Sequence, residues 1–358
     1  MSERAINFNA GPSALPRVVL EQARDELLDF EGTGMSIMEH SHRGAAYEGV
    51  HHDASALLRE LMGLDADSVV LFLQGGASGA FATVPMNFLR ERADYAVTGG
   101  WGEKALAEAR NVGDAVDALS MSRRYDHIPS MSAHAVRPGS SYLHITTNNT
   151  LEGTQYERFP DAGVPLVADM SSDILSRRID ASRFALLYAG AQKNLGPAGL
   201  TVFVIQQAFL ETARTDIPTI FRFATHAAHD GLYHTPPTFG VYLMRNVLRW
   251  VKSLGGVEAV ERRNEAKARA LYAAIDARPD VYRCPVEVGS RSRMNVVFYL
   301  PSTDLDDRFV AEAAREGIVG IKGHRAVGGI RASLYNAVEL ADVQVLTAFM
   351  RAFADRLS

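Results

Sequence analysis

The sequence predicts an α/β fold: a large domain built on a mostly parallel sheet covered by helices, followed by a small α+β domain at the C-terminal end. Three observations carry this. The chain has 358 residues, more than one minimal core needs and enough for two domains. Between residues 69 and 205, short runs rich in Val, Ile, Leu and Ala alternate with helical segments, the pattern of parallel strands buried on both faces. A Gly255-Gly256 pair then interrupts two long helical segments, and a shorter set of strands and helices follows. The expected division is an N-terminal arm over 1–15, a large domain over 16–256 and a small domain over 257–358.

Asn7 to Pro12 reads as an extended arm ending in a turn, because Gly11-Pro12 punctuates the chain. Pro16 opens a helix with Leu20, Ala23, Leu27 and Leu28 at helical spacing. A loop over Glu31 to Arg43 precedes a second helix, Tyr47 to Met62. Strand Val69 to Leu73, the small-residue loop Gln74 to Gly79 and a helix through Phe88 follow. Next come strand Tyr95 to Thr98 and a helix from Trp101 to Arg110. Val112 to Pro138 has no clear period and is expected to be irregular. Strands are expected at Ser141 to Thr146, Pro165 to Asp169, Phe184 to Tyr188 and Leu200 to Ile205. A helix after residue 206, the breaker Thr235 to Thr238, and long helices over Phe239 to Leu254 and Val257 to Ala277 complete the large part. The remainder reads as strand Met294 to Leu300, helix Asp304 to Glu316, a short strand near Ile318, strand Gly329 to Leu334 and a closing helix Leu340 to Leu357.

Composition narrows the function. Net charge is −5 and the sequence pI is about 6.1, which argues against a nucleic-acid surface. The single Cys284 rules out an internal disulfide framework and suits a reducing cytoplasm. Met1-Ser2-Glu3-Arg4 has an acidic residue and no apolar run, so no secretory leader is expected. No apolar run reaches the roughly 18 residues of a membrane span.

The chemistry centres on Lys193, in a turn of small residues between two apolar strands. A lone lysine in a glycine-rich turn is ordinarily a solvated surface residue. A lysine crowded into such a place can instead lose charge by desolvation and become a nucleophilic amine, here one that forms a Schiff base with a carbonyl cofactor. Its surroundings decide between the two. Asp169 ends an apolar strand, where a carboxylate can hold a pyridine nitrogen protonated; capping of the Ser171-Ser172 turn is the plainer role. Gly75 to Gly79 lies between a strand and a helix, where backbone N–H groups can cradle a phosphate. Trp101 and Thr150 each follow a strand and offer an aromatic plate and a hydroxyl. Together these put a phosphate cradle, a plate, a hydroxyl, a carboxylate and a lysine at the carboxyl ends of five strands. A second, cationic set comprises His42-Arg43, Lys322, His324-Arg325 and Arg331. Such residues are often surface salt-bridge partners, but in an acidic protein with Gly-rich loops they suggest a polyanionic small substrate.

Several of these segments carry a resemblance. Asn9 to Pro12, Glu39 to Gly44, Ala168 to Ser172, Tyr188 to Asn194, His234 to Phe239 and Lys322 to Ser333 are similar, over essentially the whole chain, to the phosphoserine aminotransferase family of class V, fold-type-I pyridoxal phosphate enzymes. The resemblance implies a seven-stranded type of sheet and pyridoxal 5'-phosphate bound to Lys193. It implies that Asp169 pairs with the pyridine nitrogen, Trp101 stacks on the ring and Thr150 bonds the phenolic oxygen. Ala77, Ser78 and Gln192 would hold the cofactor phosphate, with His234 and Thr235 reaching it from the partner subunit of a homodimer. His42, Arg43, His324, Arg325 and Arg331 would receive the substrate, Arg331 at its α-carboxylate. The implied reaction moves the amino group of L-glutamate to 3-phosphohydroxypyruvate, a step of serine biosynthesis, with the related phosphohydroxythreonine substrate of vitamin B6 synthesis left open. No metal, nucleic acid or membrane is implied. Two departures stand out: Ser78, where many members have Arg, and His234, where Asn is usual. The alternatives are another class V enzyme, such as a cysteine desulfurase or an alanine–glyoxylate aminotransferase, a non-catalytic phosphometabolite-binding protein of the same fold, and, more distantly, a dinucleotide oxidoreductase.

Overall fold

The computed structural model describes residues 4–121, 125–131 and 135–357. Met1 to Glu3, part of the leader reading, and two short stretches of the 112–138 segment lie outside them. The large sheet contains β2 (Ser68–Gln74), β3 (Arg92–Ala96), β4 (Asp114–Asp117), β5 (Leu143–Thr146), β8 (Leu166–Asp169), β9 (Leu186–Gly190) and β10 (Leu200–Gln206), in the spatial order β2-β10-β9-β8-β5-β3-β4. Only β10 runs against its neighbours; it pairs antiparallel with both β2 and β9. Six strands therefore point the same way, and their carboxyl ends share one edge of the sheet.

Helices cover both faces, as buried strands such as β5 and β8 require. On one face, α2 (Ala45–Met62) and α7 (Thr238–Ser253) pack through buried Ala54, Leu58, Met244 and Leu248 onto Phe72, Ile145 and Leu187. On the other, α3 (Gly76–Phe88) and α4 (Gly100–Val112) bring Phe81, Val84, Phe88 and Leu106 against Tyr95, Tyr142 and Tyr188. Helix α2 stops where Gly63 takes the left-handed conformation at φ 62, with Leu64 N–H bonded back to the Arg59 carbonyl.

A third core holds residues from α8 (Gly256–Asp276), β11 (Asn295–Phe298), α9 (Thr303–Arg315), β12 (Ile318–Val319), β13 (Ile330–Ser333) and α10 (Leu340–Asp355). Strand β11 pairs antiparallel with β13. The N-terminal segment is woven into this part: β1 (Ile6–Asn7) pairs in parallel with β12, and Phe8 is fully buried in the third core. The chain then crosses to the lysine turn, where Ser13 N–H donates to the Gln192 carbonyl at 3.0 Å. The smaller elements are the hairpin of β6 (Asn148–Asn149) with β7 (Thr154–Gln155), and the short helices α5 (Gln207–Leu210) and α6 (Phe223–Ala227).

Four local expectations need correction. Helix α1 covers only Arg17–Asp25; Leu27 and Leu28 lie beyond it and are exposed, Leu28 at 84%, because the chain turns away to bury Phe30 beside Tyr242. The strand placed at Tyr95 to Thr98 is Arg92–Ala96, since its ladder with β4 begins at Arg92 and Val97-Thr98 already leave the sheet. The segment from Val112 is not all irregular: Asp114–Asp117 forms an edge strand whose Asp-Ala-Val-Asp sequence hides any apolar run. The helix expected after residue 206 is broken into the short α5 and α6. Among the described residues, no helix is long and apolar enough to cross a membrane.

Candidate active site

Five chain segments leave the carboxyl edge of the sheet and converge. The turn after β9 carries Lys193, whose Nζ lies 2.8 Å from Thr150 Oγ1, on the segment after β5. Asp169, the last residue of β8, is buried beside it, and both its hydrogen bonds fall on Oδ1, from Ser171 N–H at 2.9 Å and Ser171 Oγ at 2.6 Å. Oδ2 keeps its lone pairs for a donor from the site. The strand-end Asp therefore makes the serine turn and also faces the lysine; the two roles sit on different oxygens. Burial raises the Asp169 carboxyl, while Lys193 and the Ser171 bonds hold it down. Burial likewise lowers the Lys193 amine to about 8, with Arg331 pushing the same way and Asp169 and Asp173 opposing. An amine at this value has a sizeable neutral, nucleophilic fraction near neutral pH.

Trp101 opens α4 one residue after Gly100, and its ring centroid is 5.9 Å from Lys193 Nζ. Its indole nitrogen is buried with no hydrogen-bond partner in the chain. The start of α4 is fixed by Glu152, whose Oε1 accepts from Gly100 N–H at 2.8 Å. That approach needs Gly99, where a Cβ would come within 2.5 Å of Asn149 Oδ1. Arg331 reaches in from β13, its Nη1 3.4 Å from the Thr150 carbonyl and its Nε buried without a partner. Tyr335 closes this side; its hydroxyl donates to the Ala10 carbonyl at 2.9 Å and accepts from Asn295 Nδ2 at 3.2 Å. Glu152, Tyr335 and Asn295 were absent from the sequence-derived set.

The cofactor cradle can be tested on the backbone. Helix α3 starts from Gly75, in the left-handed region at φ 111, and has no side-chain cap, so its first N–H groups face the site, an arrangement suited to a phosphate. Gln192 lies against the same turn: a Cβ on Gly190 would meet Gln192 Oε1 at 2.8 Å and the Ala77 amide nitrogen at 3.2 Å. An uncapped helix of this length, an unpartnered indole and a free carboxylate oxygen beside a lowered lysine fit pyridoxal phosphate.

His42, His234 and Thr235 form a separate hydrogen-bonded group around Gln74. His234 Nε2 lies 2.9 Å from Gln74 Oε1, Gln74 Nε2 donates to the Thr235 carbonyl at 3.1 Å, and Thr235 Oγ1 is 3.3 Å from His42 Nδ1. Arg43 is exposed on the same loop as His42. His324 lies among Arg331, Lys104 and Arg325, and burial and the charges of these three lower its imidazole. Lys104 belongs to this cationic mouth, with Nζ 4.2 Å from the Trp101 ring centroid. Lys322 behaves as a surface partner, paired with Asp307 at 2.9 Å. Cys284 lies against the third core, and burial pushes its thiol up; it is no activated thiolate of the kind a desulfurase needs. Among the described residues no cluster of His, Cys, Asp and Glu could hold a metal ion.

Known proteins resemble the chain over essentially its whole length. The Aminotransferase class-V family matches residues 5–346. The phosphoserine aminotransferase of Bacillus subtilis is 51% identical over 354 residues, covering 98% of this chain and 98% of that protein. The solved phosphoserine aminotransferase from Bacillus circulans subsp. alkalophilus superposes with a TM-score of 0.96 at 48% identity, covering 100% of each chain. The pyridoxal phosphate-bound phosphoserine aminotransferase from Trichomonas vaginalis gives 0.93 at 33% identity, covering 97% of this chain and 100% of that one. The chain belongs to the class-V aminotransferases and, within them, to the pyridoxal phosphate-dependent phosphoserine aminotransferases.

Proposed function

We propose that the enzyme moves the amino group of L-glutamate to 3-phosphohydroxypyruvate, giving 2-oxoglutarate and O-phospho-L-serine, with Lys193 as the catalytic amine and Asp169 as its partner at the cofactor ring. The observation that carries this is the placement of Lys193 Nζ 2.8 Å from Thr150 Oγ1 in a buried site that lowers its amine to about 8. Bound pyridoxal phosphate supplies an electron sink for the substrate α-carbon and carries the amino group between the two half-reactions. Lys193 holds the cofactor between turnovers. Released from that role, its amine would serve as the base that takes and returns the substrate α-proton. Asp169 Oδ2 would accept from the ring nitrogen of the bound cofactor and favour its protonated form. Trp101 would stack on the cofactor ring, Thr150 would offer its hydroxyl to the phenolic oxygen, and Ala77, Ser78 and Gln192 would hold the phosphate with the N-terminus of α3. Arg331 would take the α-carboxylate through its guanidinium, whose Nε has no partner in the chain.

The substrate phosphate falls to His42, Arg43, His324 and Arg325, because Ser78 brings no charge. We infer a homodimer in which His42, Arg43, His234 and Thr235 serve the partner's site. Exposed Val18, Leu28, Met38, Ile220 and Phe221 offer the apolar surface such a dimer would cover. The division into 16–256 and 257–358, with the arm bridging them, belongs to the same reading, as does a cytoplasmic location suited to a lone cysteine.

Replacing the catalytic amine tests the assignment. Lys193→Ala is expected to lose the visible absorbance of lysine-bound pyridoxal phosphate and to lower turnover by roughly three or more orders of magnitude. Turnover at the native rate in that variant would sink it.

A further inference from the structure

Gln192 and Lys193 lie in the turn between β9 and β10, outside both strands, so their carbonyls must find donors elsewhere. Both find Ser13. Its N–H donates to the Gln192 carbonyl at 3.0 Å, and its hydroxyl donates to the Lys193 carbonyl at 2.5 Å. A hydroxyl has one hydrogen to give, and the Ala14 carbonyl, at 3.4 Å, is the poorer acceptor. Two residues earlier the arm lies along the lysine stem, where a Cβ on Gly11 would stand 3.4 Å from Lys193 Cγ and 3.8 Å from Cε. The other end of the arm is bound to the strand of Arg331. The Phe8 carbonyl accepts from Ser333 N–H at 3.2 Å, and the Ala10 carbonyl accepts from the Tyr335 hydroxyl at 2.9 Å. Phe8 N–H donates to the Val319 carbonyl at 2.9 Å, and Asn9 is pressed against Gly320, where a Cβ would come within 2.4 Å of Asn9 Oδ1. Residues 8–13 thus tie the segment that carries Arg331 to the turn that carries Lys193.

We propose that Ser13 is a positioning residue of the transamination: it fixes the lysine turn to the arm, and through the arm to the Arg331 strand, so that the Lys193 amine meets the α-carbon of a substrate whose carboxylate Arg331 holds. This rests on the roles given above to Lys193 and Arg331. The α-hydrogen and the α-carboxylate of an amino acid sit on one carbon, so the base for the first and the guanidinium for the second need a fixed mutual placement. A lysine amine stands at the end of a flexible four-carbon stem, and its position is only as well defined as the turn beneath it. The Ser13 hydroxyl matters most at that turn, because no other donor among the described residues reaches the Lys193 carbonyl. Ser13 makes no hydrogen bond to the amine or to the Arg331 guanidinium. Its loss therefore changes where the amine stands and leaves the grip on the carboxylate intact.

The test compares the native holoenzyme with Ser13→Ala, which loses the hydroxyl, and Ser13→Thr, which keeps it. Single-turnover bleaching of the visible absorbance by L-glutamate gives a rate at saturation and a Kd. Ser13→Ala is expected to lower the saturating rate about tenfold, a part of the roughly 100-fold that a 1 Å misplacement can cost, while Kd for glutamate changes by less than about twofold. Ser13→Thr should stay near the native rate. Cofactor-free Ser13→Ala should also capture pyridoxal 5'-phosphate more slowly, seen as slower growth of the visible absorbance, and cofactor-free Ser13→Thr should not. Denaturation midpoints separate a merely structural role. A lower midpoint in Ser13→Ala with both rates native overturns the proposal. So does an equal loss of rate in Ser13→Thr, or a raised Kd for glutamate with the saturating rate unchanged. If the native holoenzyme does not bleach with glutamate, the functional reading fails instead, and the capture rates of the two variants still decide the role of Ser13.

Discussion

Lys193 gains its reactivity from burial and keeps it through neighbours of both signs. Arg331 and desolvation favour the neutral amine, while Asp169 and Asp173 hold some charge on it. The pH dependence of cofactor capture follows. Capture needs the neutral amine, and the folded protein lowers that amine to about 8, so the capture rate of the cofactor-free enzyme should rise with pH and level off above that value. A rate still climbing toward pH 10, as an ordinary lysine would give, would show that burial does not act as argued. Arg331 carries a second prediction. Its fork has a free Nε and one weak bond to Thr150, so Arg331→Lys should raise KM for glutamate by about 10- to 100-fold by losing the bidentate grip. Steady-state kinetics would separate this from a loss of kcat alone, which would place Arg331 elsewhere. Lys193, Asp169, Thr150 and Trp101 could be singled out in the sequence because each lies at or shortly beyond the end of an apolar strand. Gln74 and Tyr335 could not, because each acts through hydrogen bonds to residues far along the chain, and no local pattern records such partners.

At the scale of elements, the site is set by where strands end and by what ties the loops beyond them. Asn194 follows Lys193 directly and is buried. Its Oδ1 accepts from Asn336 N–H at 3.0 Å and its Nδ2 donates to the Ile174 carbonyl at 3.1 Å. Asn336 also donates to the Leu175 carbonyl and accepts from Asn264 of α8, at 3.0 and 2.9 Å. Lys267, one turn further along α8, donates to the carbonyls of Leu334, Tyr335 and Val338 at 2.9 Å each. The lysine turn and the strand carrying Arg331 are thus pinned to one another through buried polar groups. Asn336→Leu should cost about 1–3 kcal/mol for each group left unsatisfied, seen as a lower denaturation midpoint together with weaker glutamate binding. Unchanged stability would mean that water or a shifted side chain replaces the network. Periodicity found most of the sheet but missed β4, a short edge strand flanked by aspartates, and ran α1 on to Leu28, because spacing alone cannot show that the chain turns to bury Phe30.

For the whole molecule, the predicted residues fall into two groups within one chain, one around Lys193 and one around Gln74. A dimer that brings the second group to the partner's cofactor makes both groups parts of one site. Mixing Lys193→Ala subunits with subunits carrying both His42→Ala and Arg43→Ala tests this. Neither parent should be active, and random reassociation should restore roughly a quarter of native activity, because half the dimers are mixed and each holds one intact site. No recovery, with mixed dimers shown to form, would confine each site to one chain. The central claim is transamination in two half-reactions, and a single spectral titration tests it most directly. L-glutamate added to the holoenzyme should bleach the visible absorbance with release of 2-oxoglutarate, and 3-phosphohydroxypyruvate should then restore it with release of O-phospho-L-serine. Absorbance that does not respond to glutamate, or that bleaches but is not restored by the phosphorylated keto acid, would contradict the account.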